Sequence, residues 1–169
     1  MAESLLRTDK DIEEIYRRHV KTVYRVCFAH MKNISNTEDA VQNTFIRLMS
    51  YEKLFKDAEH EKAWLIVVAT NICKDYYRHW WRKTESLEEE MLAGHSNYLE
   101  IDETFDAILS LPGKYKTTIY LYYYEGYNSV EIAELLGIPP STVRSHLYKG
   151  RKILKSQLGG EYDEKQTDY

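Results

Sequence analysis

The chain of 169 residues is 43% hydrophobic and 30% charged, a composition that is typical of folded globular proteins and excludes a disordered or fibrous chain. Its longest uninterrupted apolar run, residues 63–69, is much shorter than the roughly 20 residues of a membrane-spanning helix, and residues 1–14 lack the apolar core of a secretory leader. The two cysteines are too few for a disulfide framework, so we predict a cytoplasmic protein without membrane insertion.

The formal net charge of −4 hides an uneven distribution of charge along the chain. Residues 141–155 contain five basic side chains and no acidic one, whereas residues 84–103 contain seven acidic side chains and no lysine or arginine. This separation predicts a basic surface that can bind DNA although the total charge is negative.

The first half of the chain is predicted to form three helices. Glycine and proline are absent from residues 1–93, so this part lacks the turn-forming residues that usually separate strands and hairpins. Apolar residues recur at helical spacing from Ile12 onward. Ser35 and Glu38 have the spacing of a capping box, which predicts the start of a second helix. A third helix is predicted over residues 61–82.

The acidic stretch 84–103 is interpreted as a linker between two helical domains. Beyond it the sequence predicts a short helix before Pro112, a second over about residues 114–125, a third over 129–136 with Ser129 as its N-cap, and a last helix from about 141 to 158. The predicted organisation is a first helical domain (1–83), the linker (84–103), a second helical domain (104–158) and a mobile tail (159–169).

Residues 129–151 have the pattern of a helix-turn-helix. Gly137 marks the turn, and Ala133 is small enough to let two helices cross closely. The second helix leaves side chains outside that can bind base edges in a major groove, namely Thr142, Arg144, Ser145, Tyr148 and Lys149. Basic residues farther along suit phosphates: Arg151, Lys152 and Lys155. The alternative is a helical hairpin with a solvated basic face.

Residues 74–83, KDYYRHWWRK, interleave four aromatic with four basic side chains. This pattern is typical of a surface that stacks unpaired bases and binds their phosphates. The aromatic residues can equally belong to a core or an interface.

The sequence contains no motif for catalysis. Cys27 with His30, and Cys73 with His79, lack the spacing of a zinc site, and both cysteines fall on apolar helical stripes, which predicts buried structural thiols. A phosphate-binding glycine loop, a nucleophile elbow and a sequence-adjacent acid–base pair are all absent from the sequence. We therefore predict no enzymatic activity, no metal and no cofactor.

Three segments resemble the RNA polymerase sigma factors of the sigma-70 family, in its extracytoplasmic function (ECF) group. Residues 36–49 (NTEDAVQNTFIRLM) and 63–78 (AWLIVVATNICKDYYR) are similar to region 2, and residues 125–154 are similar to region 4. The resemblance implies an all-α fold of a region 2 helical bundle and a region 4 helix-turn-helix joined by a flexible acidic linker. It also implies a non-catalytic initiation subunit that binds core polymerase, recognises −35 and −10 promoter elements and promotes DNA melting.

The same resemblance implies roles for individual positions. Polymerase binding is implied for Asp39, Gln42, Asn43, Phe45 and Leu48. Binding of the −10 strand is implied for Phe55, Lys56, His60, Asn71, Lys74 and Arg78. Binding of the −35 element is implied for Thr142, Arg144, Ser145, His146, Tyr148, Lys149 and Arg151. The implied partners are the clamp and flap of core RNA polymerase, promoter DNA and an anti-sigma factor.

Three other functions remain open at this point. A stand-alone helix-turn-helix regulator would bind DNA without polymerase, usually at a two-fold site. An adaptor would bind polymerase without reading DNA, which leaves the outward Arg144 and Lys149 unexplained. A metal-dependent nucleic-acid enzyme is the remotest, because the chain offers no clustered carboxylates.

Overall fold

The computed structural model describes residues 7–31, 33–81 and 103–158. Within these ranges the regular structure is entirely helical, which confirms the all-α prediction. The helices are α1 (Asp9–Met31), α2 (Ile34–Met49), α3 (Ala58–Trp81), α4 (Glu103–Leu109), α5 (Gly113–Tyr123), α6 (Ser129–Leu136) and α7 (Pro140–Leu158). None of these described helices combines the length and apolar character that crossing a bilayer requires.

The chain divides into two compact units between Leu99 and Glu100. Glu103, the last residue of the predicted linker, already belongs to α4. The rest of that linker, Arg82 and Lys83 of the aromatic–basic segment, and the predicted tail lie outside the described residues. The predicted ranges of the four segments stay predictions.

In the first unit, α1, α2 and α3 each pack against the other two. Residues at helical spacing meet in the centre, where Val23, Leu48 and Leu65 are completely buried. Cys27 and Cys73 are also completely buried, as predicted. A hydrogen bond with Cys73, together with burial, raises the pKa of the Cys27 thiol well above its ordinary value, so the thiol is un-ionised and unreactive.

The second helix begins at a different residue from the one predicted. Asn33 is its N-cap, and the side-chain oxygen of Asn33 accepts a hydrogen bond of 3.0 Å from the backbone N–H of Asn36. Ser35 therefore lies inside the helix, and the predicted Ser35–Glu38 capping box is wrong. Asparagine is as good an N-cap as serine, and here it stands where the backbone is still extended.

The third helix also begins earlier than predicted, at Ala58. Asp57 stands directly before it and accepts a hydrogen bond of 2.8 Å from the backbone N–H of His60. This cap satisfies a donor in the first turn and sets the point at which the preceding loop, residues 50–57, meets the helix.

In the second unit, α5 packs against α4, α6 and α7, and α6 packs against α7. The predicted cap of α6 is corrected from Ser129 to Asn128, which forms a reciprocal capping box with Glu131. Gly137 ends α6 in the left-handed conformation, with φ 65°, and turns the chain toward α7. Helix α7 starts at Pro140, since a proline in the first turn gives up no intrahelical hydrogen bond.

Candidate nucleic-acid and polymerase interfaces

Helix α7 has one buried face and one exposed polar face. Val143, Leu147 and Leu154 are buried against the rest of the second unit. About 100° of rotation per residue places a second set of side chains on the opposite face. Its exposed members are Arg144, Ser145, Tyr148, Lys149 and Lys152. The helix contains no acidic residue, so this face, which we call the α7 outer face, is a positively charged row of hydrogen-bond donors.

Tyr148 is the most prominent aromatic residue of the α7 outer face. It is 55% exposed, and the ammonium group of Lys152, one turn farther on, lies 4.7 Å from its ring centroid. A hydrogen bond to the Tyr148 hydroxyl raises the pKa of Lys152, so this lysine is fully charged at neutral pH. Tyr148 and Lys152 thus present an aromatic ring and a positive charge side by side.

His146 differs from the other predicted −35 residues. Its ring is half-buried and packs edge-on against Tyr115, with 5.4 Å between centroids. Burial lowers the pKa of His146, and the charges of Lys114 and Lys149 lower it further. The ring is therefore neutral at pH 7 and offers no cation for a phosphate. The structure thus places His146 at the edge of the predicted −35 set, as a packing residue.

Arg151 and Thr142 border the α7 outer face. Thr142 is half-buried. Arg151 is also half-buried, and its Nε donates a hydrogen bond of 2.8 Å to the hydroxyl of Tyr123. The Arg151 guanidinium also lies 5.1 Å from the ring centroid of Tyr122. These contacts join α7 to the end of α5.

An aromatic cluster organises the loop between α2 and α3. Phe55 is half-buried and lies 5.4 Å from Tyr51 and 5.7 Å from Trp64, between ring centroids. The His60 ring stands edge-on to Phe55 at 5.3 Å, and its Nδ1 accepts a 3.1 Å hydrogen bond from the backbone N–H of Lys56. In its neutral form the imidazole of this exposed residue then carries its proton on Nε2. We call Tyr51, Phe55, His60 and Trp64 the aromatic loop cluster.

A stripe on α3 continues from this cluster. Trp64, Val67, Asn71, Lys74 and Arg78 follow one another at intervals of three and four residues and so share one face of the helix. Asn71, Lys74 and Arg78 are exposed. The structure therefore brings all six predicted −10 residues to the loop and to one helix face.

The tyrosines of the aromatic–basic segment have a different role. The hydroxyl of Tyr76 donates a 2.8 Å hydrogen bond to the side-chain oxygen of Asn36, and that of Tyr77 donates to the backbone oxygen of His30. Both tyrosines thus tether α3 to neighbouring parts of the first unit. The side chains of Trp80 and Trp81 lie outside the described residues.

Helix α2 carries the predicted polymerase-binding residues on two different faces. Asp39, Gln42 and Asn43 are exposed. Leu48 is completely buried, and Phe45 is 7% exposed and packs edge-on against Tyr16 at 4.8 Å. These two are core residues that position the helix, and they present almost no surface to a partner.

The sequence reasoning missed two exposed apolar residues on α2. Ile46 and Met49 are 57% and 65% exposed and continue the stripe of Asp39, Gln42 and Asn43. Their spacing from Asp39, in steps of three and four residues, is the sequence signal that predicts their place on the same face of the helix. We call this set of five residues the α2 stripe.

Family models match both units of the chain. The description of one is "Sigma-70 region 2" and it covers residues 15–83; that of the other is "Sigma-70, region 4" and it covers residues 102–154. The ECF RNA polymerase sigma factor SigW of Bacillus subtilis (strain 168) is 31% identical in an alignment 166 residues long. The alignment covers 88% of this chain and 87% of SigW. SigM of the same organism, also an ECF sigma factor, is 29% identical over 153 residues, 86% of this chain and 93% of SigM.

Solved structures share the fold. One is the sigma factor RpoE in complex with the anti-sigma factor NepR from Bartonella quintana, with a TM-score of 0.68 and 18% identity over 90% of this chain and 99% of RpoE. Another is CnrH in complex with the cytosolic domain of CnrY, with a TM-score of 0.63 and 19% identity over 92% of both chains. The two region matches and the 31% identity to SigW show that the chain belongs to the ECF group of the sigma-70 family, the initiation factors that direct RNA polymerase to promoters.

Proposed function

We propose that this sigma factor reads a −35 element as duplex through α7, captures unpaired −10 bases with the α2–α3 loop and α3, and binds core polymerase through α2. The observation that carries this proposal is the α7 outer face. It presents hydrogen-bond donors and cations at helical spacing. The helix that carries it contains no acidic residue and follows the turn of the helix-turn-helix at Gly137.

The −35 contacts divide into base-reading and phosphate-binding residues. Arg144 and Lys149 can donate to the N7 and O6 of guanine, and the Ser145 hydroxyl can pair with either kind of edge. Tyr148 and Thr142 complete the base-facing set, while Arg151 serves a phosphate from the border of the face. We leave His146 out of direct contact, because its neutral ring packs on Tyr115.

The −10 strand is captured by the aromatic loop cluster and the stripe of α3. Base stacking on Phe55 offsets part of the cost of unstacking the duplex, since such contacts contribute about 1–3 kcal/mol per base. Lys56 and His60 lie beside it and donate to the base or its phosphate. Along α3, Asn71 reads a base edge, and Lys74 and Arg78 follow the backbone of the strand.

Core polymerase is bound through the α2 stripe, whose polar and apolar members together form a mixed surface of the kind found at protein interfaces. Asp39, Gln42 and Asn43 make the polar contacts with the clamp, and Ile46 and Met49 supply the apolar area. We carry over the contact of the second unit with the flap from the family resemblance.

An anti-sigma factor is the proposed regulator. The solved RpoE structure is a complex with the anti-sigma factor NepR, which supports a partner of this class for the present chain. Ile46 and Met49 are exposed, so a regulator that covers them would compete with polymerase. Competition is measured by titrating core polymerase against a preformed complex of the chain with its candidate regulator.

The experiment that tests the proposed function is run-off transcription on fragmented genomic DNA with core polymerase from the source organism. New start sites that share upstream elements are expected with the chain and absent without it. Arg144→Glu should abolish these starts and leave core binding unchanged, whereas the matched charge reversal Lys10→Glu, on an exposed residue of α1, should leave both unchanged.

Two outcomes would contradict the proposal. Core binding without new start sites would indicate an adaptor. Sequence-specific DNA binding by the free chain, without core binding, would indicate a stand-alone regulator.

A further inference from the structure

Arg7 directly precedes Thr8, the residue whose capping box begins α1. The backbone N–H of Thr8 donates a 2.8 Å hydrogen bond to the carboxylate of Asp11, and the N–H of Asp11 donates a 3.2 Å hydrogen bond to the Thr8 hydroxyl. This reciprocal pair is the capping-box arrangement, which fixes the direction in which the chain enters the helix. The hydrogen bonds from Thr8 lower the pKa of Asp11, so the cap is intact at neutral pH.

From this position the Arg7 guanidinium reaches the α2–α3 loop. It donates hydrogen bonds to the backbone carbonyl oxygens of Tyr51 and Lys53. It also lies over the faces of two rings of the aromatic loop cluster, 4.7 Å from the centroid of Phe55 and 5.6 Å from that of Tyr51. Two carbonyls and two rings are thus held by one rigid, permanently charged group.

The carbonyl groups of the loop depend on this contact for their hydrogen bonds. Within the described part of the chain, Arg7 supplies the only hydrogen bonds accepted by the carbonyls of residues 51–55. Leu54 and Lys56 on the same loop are exposed. Without Arg7 the loop would be held by the hydrogen bonds of the Tyr51 and Lys56 N–H groups at its ends and by the packing of the Tyr51 and Phe55 rings on Trp64.

Arg7 also lies before the part of the chain that matches the region 2 model, which begins at residue 15. The contact therefore joins a residue outside the matched region to a loop inside it.

We propose that Arg7 is a positioning residue for −10 recognition, which holds the loop of residues 51–55 in the conformation that captures an unpaired base. This inference rests on the proposed function of the loop. A loop that is ordered before binding does not lose its conformational entropy when the base arrives, so affinity for the strand increases. Arg7 acts through the loop and makes no contact with the strand itself.

The first measurement is amide hydrogen exchange of the full chain without DNA. In Arg7→Ala the amides of Tyr51 and Lys56 should exchange faster than in the unchanged protein, because they donate the hydrogen bonds to the Leu48 carbonyl and the His60 ring that the ordered loop holds in place. The amides of the α1–α3 core should keep their protection. Arg17→Ala is the matched control, because Arg17 is an exposed arginine of α1 that pairs only with Glu13 among the described residues. Equal exchange of the loop in Arg7→Ala and the unchanged protein would overturn the inference.

The second measurement is strand binding by the chain assembled with core polymerase. The probe is a single-stranded −10 oligonucleotide from a promoter mapped by run-off transcription, with 2-aminopurine at the captured base. Arg7→Ala should weaken binding about tenfold, and Arg7→Lys, which keeps the cation but has a single donor nitrogen, should recover part of it. Arg17→Ala should bind as the unchanged protein does.

Salt dependence separates positioning from direct contact. A lost phosphate contact would reduce the slope of log K against log salt by about 0.7 for a single strand, whereas a positioning residue leaves the slope unchanged. A reduced slope in Arg7→Ala would therefore overturn the inference in favour of phosphate binding. Asn71→Ala tests the proposed function separately. If Asn71→Ala weakens strand binding and Arg7→Ala does not, only the inference about Arg7 fails. If neither variant weakens strand binding, the proposed −10 site fails.

Discussion

Arg144 and Arg151 stand on the same helix, but their guanidinium groups have different surroundings. Arg144 is exposed on the α7 outer face, whereas Arg151 is half-buried, bonded to the Tyr123 hydroxyl and stacked near Tyr122. A side chain that is already bound to its own protein has fewer donors left for a base. At the residue scale, sequence specificity should therefore depend on Arg144 more than on Arg151.

We expect Arg144→Ala to weaken binding of the holoenzyme to its −35 duplex by about 1–3 kcal/mol and to relax the base preference at one position, because a bidentate contact to a guanine is lost. Arg151→Ala should cause a smaller loss that is similar for all sequences. Fluorescence anisotropy with a panel of single-base −35 variants measures both effects. A uniform loss across the panel in Arg144→Ala would contradict base reading by Arg144.

At the scale of elements, α1 and α3 are joined by a buried polar contact. One carboxylate oxygen of Glu61 accepts hydrogen bonds from Arg18 at 2.6 Å and from the ring of His19 at 2.7 Å. His19 is 5% exposed and Glu61 7%. Burial lowers the pKa of His19 below its ordinary value of 6.5, although the hydrogen bond to Glu61 acts in the opposite direction. The folded protein therefore favours neutral His19.

Stability should depend on pH through this histidine. The unfolded chain binds a proton at His19 more readily than the folded chain does, so the contribution is fully present above pH 6.5 and is lost as the pH falls through the lower pKa of the folded state. The free energy of unfolding should thus decrease as the pH falls below about 6.5. His19→Gln, which keeps a donor for Glu61 and does not titrate, should reduce this decrease. Urea denaturation at several pH values measures it, and an identical pH dependence in His19→Gln would refute the assignment.

The crossing of α5 and α7 depends on a glycine. A Cβ atom at Gly150 would lie 2.7 Å from Cγ1 and 2.9 Å from Cδ1 of Ile119, a residue that is completely buried. Gly150→Ala should destabilise the protein by about 1 kcal/mol or more, because overpacking a core costs about 1–3 kcal/mol and exceeds the gain in helix propensity. Gly113→Ala is the matched control, since nothing lies within 4 Å of its added Cβ. Thermal unfolding measures both variants, and an equal or higher melting temperature for Gly150→Ala than for Gly113→Ala would contradict this packing argument.

For the whole molecule, the charge distribution predicts how the free chain behaves toward DNA. The net charge is −4 although α7 contains five basic residues and no acidic one, so the rest of the chain is more acidic than the total indicates. Long-range repulsion from those carboxylates opposes the attraction of the α7 outer face for phosphates.

We therefore expect the isolated chain to bind promoter DNA weakly and the complex with core polymerase to bind it tightly, because polymerase supplies the sequence-independent phosphate contacts. Filter binding or anisotropy at several salt concentrations compares the two. Tight binding by the isolated chain that persists at high salt would contradict this expectation.

The sequence by itself determined the helical class, the helix-turn-helix around Gly137 and the family, because these depend on local spacing, turn residues and motif order. It located helix starts only approximately, since Asn33 and Asn128 are as able to cap as Ser35 and Ser129, and the backbone decides between them. The tertiary structure alone decided which face of each helix is covered. Periodicity shows that Phe45, Leu48 and His146 lie on particular faces, but only the packing of other helices buries Phe45 and Leu48 and half-buries His146. The contact of Arg7 with the loop at Tyr51 and Lys53 joins residues far apart in the chain, and such contacts leave no local pattern to read.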